Sequence, residues 1–286
     1  MRFQVQVCVL ACVVLVACQT GRTKGAATVA TPPVPTFCAL KVNGATLQDV
    51  NGNSVVLHGA TLPTLRAMEA SGESPAARVR TLADAGAKLV RLPVTDEEFN
   101  APFMPEKVLP FADVANQLGM VVILSWQQPT ENRTAKKQAE EIEDWLRNAI
   151  IYLADRPGIW LDPFNQPLDM PVGRQRAVAQ RMADVLTGYR YKNLVLINNP
   201  TWFLDGDPEH SKPLSGNNAI YGVADLSSLA RYPTERVPFI STALDDPSRA
   251  PVNIGTIVVD ASNISQPLKT FWQAQSKNDL RNCVKN

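Results

Sequence analysis

The sequence predicts a parallel α/β fold closed into an eight-stranded (β/α)8 barrel, and three observations carry that reading. Eight short apolar runs succeed one another: Val55–Ala60, Lys88–Val94, Met120–Ser125, Trp160–Asn165, Leu194–Asn199, Ala219–Val223, Pro238–Thr242 and Gly255–Asp260. Continuous Val, Ile and Leu, without strict polar alternation, suits strands covered on both faces. Helical patterns separate these runs, and strands alternating with helices argue a parallel sheet. The stretch from Cys38 to about Cys283 also has the roughly 250 residues usual for one such barrel.

Each element has local grounds. Leu40–Leu47 and Ser54–Leu57 flank Asp49-Val50-Asn51-Gly52-Asn53, which reads as an N-terminal hairpin around an Asn-Gly turn. Ser74-Pro75 places an N-cap before a proline at the first helical position, and Gly86 closes that helix. Leu109–Leu118 forms the next helix and ends at Gly119. Over residues 134–154, Ile142, Trp145, Leu146, Ala149, Ile150 and Leu153 share one stripe of an amphipathic outer helix. Residues 171–190 repeat that pattern less strictly. About a dozen residues separate the seventh strand from the eighth, too few for a loop and a full helix, so the last third of the barrel is expected to be reduced.

The N-terminus reads differently. Arg2 precedes an apolar run, Val5 to Ala17, that ends in Leu15-Val16-Ala17-Cys18. A positive start, a brief apolar stretch and small residues before a cut describe a secretory signal peptide. The run is shorter than the ~20 apolar residues a bilayer span needs. A Cys directly after Leu-x-Ala resembles the lipobox of bacterial lipoproteins, which implies acylation of Cys18. The expected organisation is a signal peptide over 1–17, a lipidated Cys and flexible tether over 18–37, and the barrel over 38–286. Residues 19–36 are small, polar and Pro-rich, a composition unable to bury a core. The expected location is outside the cytoplasm, attached through the lipid on Cys18 to the outer membrane or cell surface.

Charge and cysteine usage exclude several functions. The chain has 28 Lys+Arg and 27 Asp+Glu. Loss of Arg2 with the signal leaves 27 against 27, a neutral mature protein. Without a basic patch, nucleic-acid binding and polybasic membrane association have no support. Cys38 and Cys283 stand near the two ends of the folded region, and in an oxidising compartment such a pair reads as a disulfide. His58 and His210 are the two histidines, and neither Cys-x-x-Cys nor His-Glu-x-x-His occurs. No metal and no cofactor is expected.

Several segments together resemble the cellulase-type glycoside hydrolases of family five. Leu47 to Gly59 looks like that family's hairpin and first strand, and Gly86-Ala87-Lys88-Leu89-Val90-Arg91-Leu92-Pro93-Val94 like its second. Leu118 to Leu124 resembles the third strand. Phe164-Asn165-Gln166-Pro167 stands where the family has Asn-Glu-Pro, and Asn193 to Trp202 resembles strand five with its following Trp. The resemblance spans residues 40–260 and implies the same barrel.

It also implies two catalytic carboxyl groups, which in retaining glycosidases lie about 5–5.5 Å apart. Here the acid/base position is Gln166 and the nucleophile position is Ala243. An amide cannot deliver a proton, a step worth ~10²–10⁴ in rate. The supporting residues are replaced too: family histidines fall on Gln127 or Trp126 and near Ala224, and a family Trp falls near Val258. Arg91 and Asn165 persist. The expectation is a glycoside-hydrolase-like pseudoenzyme that binds a glycan through Arg91, Trp126, Gln127, Asn165, Gln166, Trp202 and Asp225, with both tryptophans at the rim of the mouth. Two alternatives accompany it: a scaffold that binds envelope proteins, and an active hydrolase with carboxylates relocated to Asp225, Asp245 or Asp246.

Overall fold

The computed structural model describes residues 37–100, 102–127, 134–164, 171–216, 218–224, 231–233, 236, 238–242, 255–258, 264–275 and 280–281. The expected signal peptide, tether and lipidated Cys18 lie outside these residues, as do Asn165, Gln166, Asp225, Ala243, Asp245, Asp246 and Cys283.

Three short strands, β1 (Lys41–Asn43), β2 (Thr46–Gln48) and β3 (Ser54–Val55), form an antiparallel sheet in the order β1-β2-β3. The expected single hairpin is therefore two. The segment Leu40–Leu47, read as one arm, itself turns at Gly44-Ala45, between the paired residues Asn43 and Thr46, with Gly44 at φ +57°. Glycine at the first position of a two-residue hairpin loop takes the positive φ that such a turn requires. In the second turn one oxygen of Asp49 accepts the amides of Asn51 and Asn53, both at 2.9 Å.

The barrel follows. Its strands are β4 (Leu57–Thr61), β5 (Leu89–Val94), β6 (Val121–Trp126), β7 (Ile159–Asp162), β8 (Val195–Asn198), β9 (Ala219–Val223), β10 (Phe239–Ser241) and β11 (Gly255–Val258). Every neighbouring pair is parallel, and β11 pairs with β4 to close the ring. Seven α-helices accompany them among the described residues: α1 (Leu65–Ala70), α2 (Pro75–Asp84), α3 (Asp96–Phe99), α4 (Leu109–Gln117), α5 (Ala135–Leu153), α6 (Val172–Gly188) and α7 (Gln266–Gln275). Ser74 caps α2 and Thr134 caps α5 through their hydroxyls. Among the described residues no α-helix lies between β9 and β11; most of the residues between those strands lie outside the description.

Side-chain alternation along the strands divides the apolar residues into two cores. Leu89, Val121, Ile123, Trp160, Leu196 and Ile257 pack inside the barrel, continuous with Leu47 and Val55 of the small sheet. That sheet plugs the end of the barrel where the strands begin. Their neighbours Val90, Leu92, Val122, Leu124, Leu161 and Ile197 face outward and pack beneath the helices with Val79, Leu146 and Met182. Gly59 allows β4 to approach β5, because a Cβ there would meet the Leu89 carbonyl oxygen at 1.8 Å.

His58 belongs to the outer core. Its ring meets Phe271 of α7 edge-on at 4.9 Å, and burial pushes its pKa down to about 4. The neutral imidazole is the folded form, whereas the unfolded chain takes up a proton near pH 6.5. Stability from this group is therefore full above pH 6.5 and declines by about 3 kcal/mol as pH falls from 6.5 to 4. We expect His58→Gln to flatten the wild-type pH dependence across that window, measured by urea denaturation. Equal slopes for the two proteins would refute this assignment.

Candidate functional site

Barrel enzymes place their sites where the strands end, at the face opposite the N-terminal plug. Four interior positions one step above the apolar layer are polar. Arg91 lies two residues beyond Leu89, Ser125 beyond Ile123, Asp162 beyond Trp160 and Asn198 beyond Leu196, so strand periodicity aims all four inward. They converge on Asp162, which has no exposed surface.

Each carboxylate oxygen of Asp162 is occupied. Oδ2 accepts Arg91 Nε at 2.9 Å, Arg91 Nη2 at 2.5 Å and the Ser125 hydroxyl at 2.7 Å. Oδ1 accepts the Asn198 amide at 2.8 Å and the Phe164 backbone N–H at 3.3 Å. A buried carboxylate is tolerable when a cation neutralises it and donors fill its lone pairs, and both conditions hold here. Gly222 keeps room for this layer, since a Cβ there would stand 2.1 Å from Asn198 Oδ1.

The sequence reading named Arg91 but missed Asp162, Ser125 and Asn198. A signal was present: each of these strands carries one polar residue, in phase with the apolar interior residue two positions before it. Arg91 is consequently a partner of an internal carboxylate, with 11% of its side-chain surface exposed. Asn165, Gln166 and Asp225 of the expected site lie outside the described residues. Gln127 is exposed just beyond β6, where its backbone N–H continues the pairing with Val94.

The two tryptophans require a correction. Neither stands open at the rim: Trp126 is 3% exposed and Trp202 is 2% exposed. Trp126 is the residue after inward-facing Ser125, so alternation sends it outward beneath the helices. There it stacks on Trp145 of α5, with centroids 5.8 Å apart, and donates its indole N–H to Asp96 Oδ1 at 2.6 Å. Trp202 sits in a short 3₁₀ turn after β8, in the outer core beside Phe203. Both indoles are taken up by packing, leaving no ring face for a sugar.

Among the described residues no three His, Cys, Asp or Glu side chains are grouped to hold a metal, and no helix is long and apolar enough to cross a membrane. A test of the polar layer is Asp162→Asn, which strands the Arg91 guanidinium without its counter-charge. Breaking such a pair costs about 3–5 kcal/mol, against about 1 kcal/mol for Ser125→Ala. For a barrel this size we expect Tm to fall by roughly 10 °C in the first variant. A calorimetric loss no larger than that of Ser125→Ala would mean that the pair does not hold the barrel together.

Most of the chain resembles solved structures in fold. A β-glucanase from Saccharophagus degradans, solved with cellotetraose, superposes with a TM-score of 0.65 at 16% identity, covering 85% of this chain and 95% of that one. The catalytic domain of an endoglucanase from Thermobifida fusca gives 0.64 at 15% identity, covering 84% and 97%. A mannanase catalytic domain from Streptomyces sp. gives 0.58 at 14% identity, covering 87% and 88%. No curated protein matches the chain. The model of the cellulase family, glycosyl hydrolase family 5, matches residues 49–223, more than half the sequence, and the chain belongs to that family.

Proposed function

We propose that this protein is a non-hydrolysing member of its family that binds a glycan at the barrel mouth and is anchored by lipid outside the cytoplasm. The observation that carries the reading is the pair of substitutions at the family's carboxylate positions, Gln166 and Ala243. Retaining hydrolysis needs both groups. Among the described residues, the Asp162 carboxylate at the strand ends is held by donors on both oxygens, which argues against its standing in for them. Asn165 and Gln166 are amides that donate and accept, a chemistry suited to sugar hydroxyls. The cellotetraose held by the S. degradans β-glucanase supports a β-glucan as the first ligand to try. With Trp126 and Trp202 buried, recognition falls to hydrogen bonds rather than to those two rings. The leader ending in Leu15-Val16-Ala17-Cys18 supports the lipid anchor.

The test combines two measurements on the same preparation. Cellotetraose and mannotriose should each leave no shorter product by chromatography after prolonged incubation. At 100 times its dissociation constant, the true ligand adds ~2.7 kcal/mol and raises Tm by several degrees. Product formation abolished by Asp245→Ala would overturn the non-hydrolysing reading in favour of relocated carboxylates. No thermal shift with any β-linked oligosaccharide would overturn glycan binding and favour an envelope scaffold.

We further propose that Cys38 and Cys283 form a disulfide. Cys38 is buried at 1% exposure, its N–H donates to the Leu280 carbonyl at 2.9 Å, and Phe37 bridges Arg281. These contacts bring the two ends of the folded chain within a few residues of the pair. Closing so long a loop is worth up to about 5 kcal/mol by chain entropy. Non-reducing proteolysis and mass spectrometry should yield the linked Cys38 and Cys283 peptides. Recovery of both as free thiols would refute the pairing.

A further inference from the structure

Among the described residues, Ile151 and Tyr189 are the large apolar side chains left in the open, 77% and 51% exposed. The fold brings them to the same rim. Helices α5 and α6 both run back along the barrel wall, so they end side by side at the plugged pole. Arg181 of α6 bridges Glu143 of α5 at 2.8 Å, and Tyr189 and Ile151 each stand eight residues beyond that pair. The Asn193 amide ties the exit of α6 to the end of α5, donating to the carbonyls of Leu153 and Arg156 at 3.2 and 2.7 Å.

Cations flank the pair. Arg147 lies one turn before Ile151, is half exposed, and stands within electrostatic reach of the Tyr189 hydroxyl. Arg190 and Lys192 follow on the exit from α6, both exposed. Arg190 is held at φ +56°, where helices ordinarily place glycine, so a long cationic side chain stands there against the backbone preference. Asp155 is an exposed carboxylate at the same level. An aliphatic side chain and a tyrosine ring set among Arg and Lys suit a lipid–water boundary. Their apolar bodies enter it, while the hydroxyl and the cations stay with the headgroups.

The chain also enters the fold at this pole, where Phe37 bridges Arg281. Residues 19–36 separate Phe37 from Cys18, and eighteen residues span no more than about 60 Å even when fully extended. A lipid on Cys18 would therefore confine this pole near a bilayer, where a contact too weak to form in free solution is promoted by effective concentration.

We propose that the ends of α5 and α6 rest on the bilayer surface, with Ile151 and Tyr189 inserted among the headgroups and Arg147, Arg190 and Lys192 toward the lipid phosphates. The inference rests on the lipid anchor proposed above and adds the face that the barrel turns to the membrane. With 28 cationic and 27 acidic residues the chain is close to neutral, so these inserted side chains, not net charge, carry the contact.

The test uses the full lipidated chain reconstituted into vesicles of phosphatidylcholine and phosphatidylglycerol. An environment-sensitive fluorophore is attached at Ile151→Cys or, for reference, at Glu97→Cys, which is exposed on α3 at the strand-end side. Mass spectrometry verifies the labelled position and the acylation of Cys18. We expect the probe at 151 to shift to the blue and to react with an aqueous quencher several-fold more slowly than the probe at 97. Tyr189→Asp should return most of that reactivity. A chain that is not acylated and not recovered with vesicles would overturn the anchor and this orientation together. Recovery with vesicles but equal quenching at the two positions would overturn the orientation alone. Protection at 151 unchanged by Tyr189→Asp would overturn the assignment of the contact to this pair.

Discussion

One buried carboxylate organises the upper half of this barrel. Asp162 cannot lie in a dry interior alone, because the cost of an isolated charge there far exceeds what folding can spare. It is tolerated because Arg91, Ser125, Asn198 and the Phe164 amide arrive together, from β5, β6, β8 and the end of β7 itself. Each donor depends on its strand keeping register, since a slip of one residue would turn that side chain to the outer face. The cluster therefore fixes the alignment of four neighbouring strands, much as the apolar layer beneath it fixes their packing. Its internal completeness also separates structure from chemistry: both carboxylate oxygens are already taken by donors from the barrel itself.

The fold was largely legible in the sequence because a doubly covered strand leaves a plain mark. All eight barrel strands lie within their apolar runs, apart from one-residue extensions such as Trp126 and Ile159, and the caps at Ser74, Gly86 and Gly119 bound helices as expected. The misses have physical causes. The turn at Gly44-Ala45 was hidden because three-residue strands are too short to show a period. Helices α1 and α3 are six and four residues long, below the length at which a 3.6-residue repeat can be seen. Both are held by caps and by Glu98 rather than by propensity.

The site was less legible, and Trp126 shows why. A tryptophan at the end of a strand in a glycosidase-like barrel invites a place at the mouth, but parity assigns it outward. The inward residue at that level is Ser125, whose small size admits the Asp162 cluster. Arg91 was named for its family position, yet its function in the fold follows from a partner 71 positions away that no local pattern announces. Polar residues in phase with an apolar interior are the sequence feature that would have found the whole cluster.

Phe37 bridges Arg281, and Cys38 bonds to Leu280, at the plugged end of the barrel. The chain therefore enters and leaves through the same pole. Both ends of the described fold thus lie at the pole opposite the strand ends, so an addition at either end falls on the plugged side and not on the side where Arg91, Ser125, Asp162 and Asn198 converge.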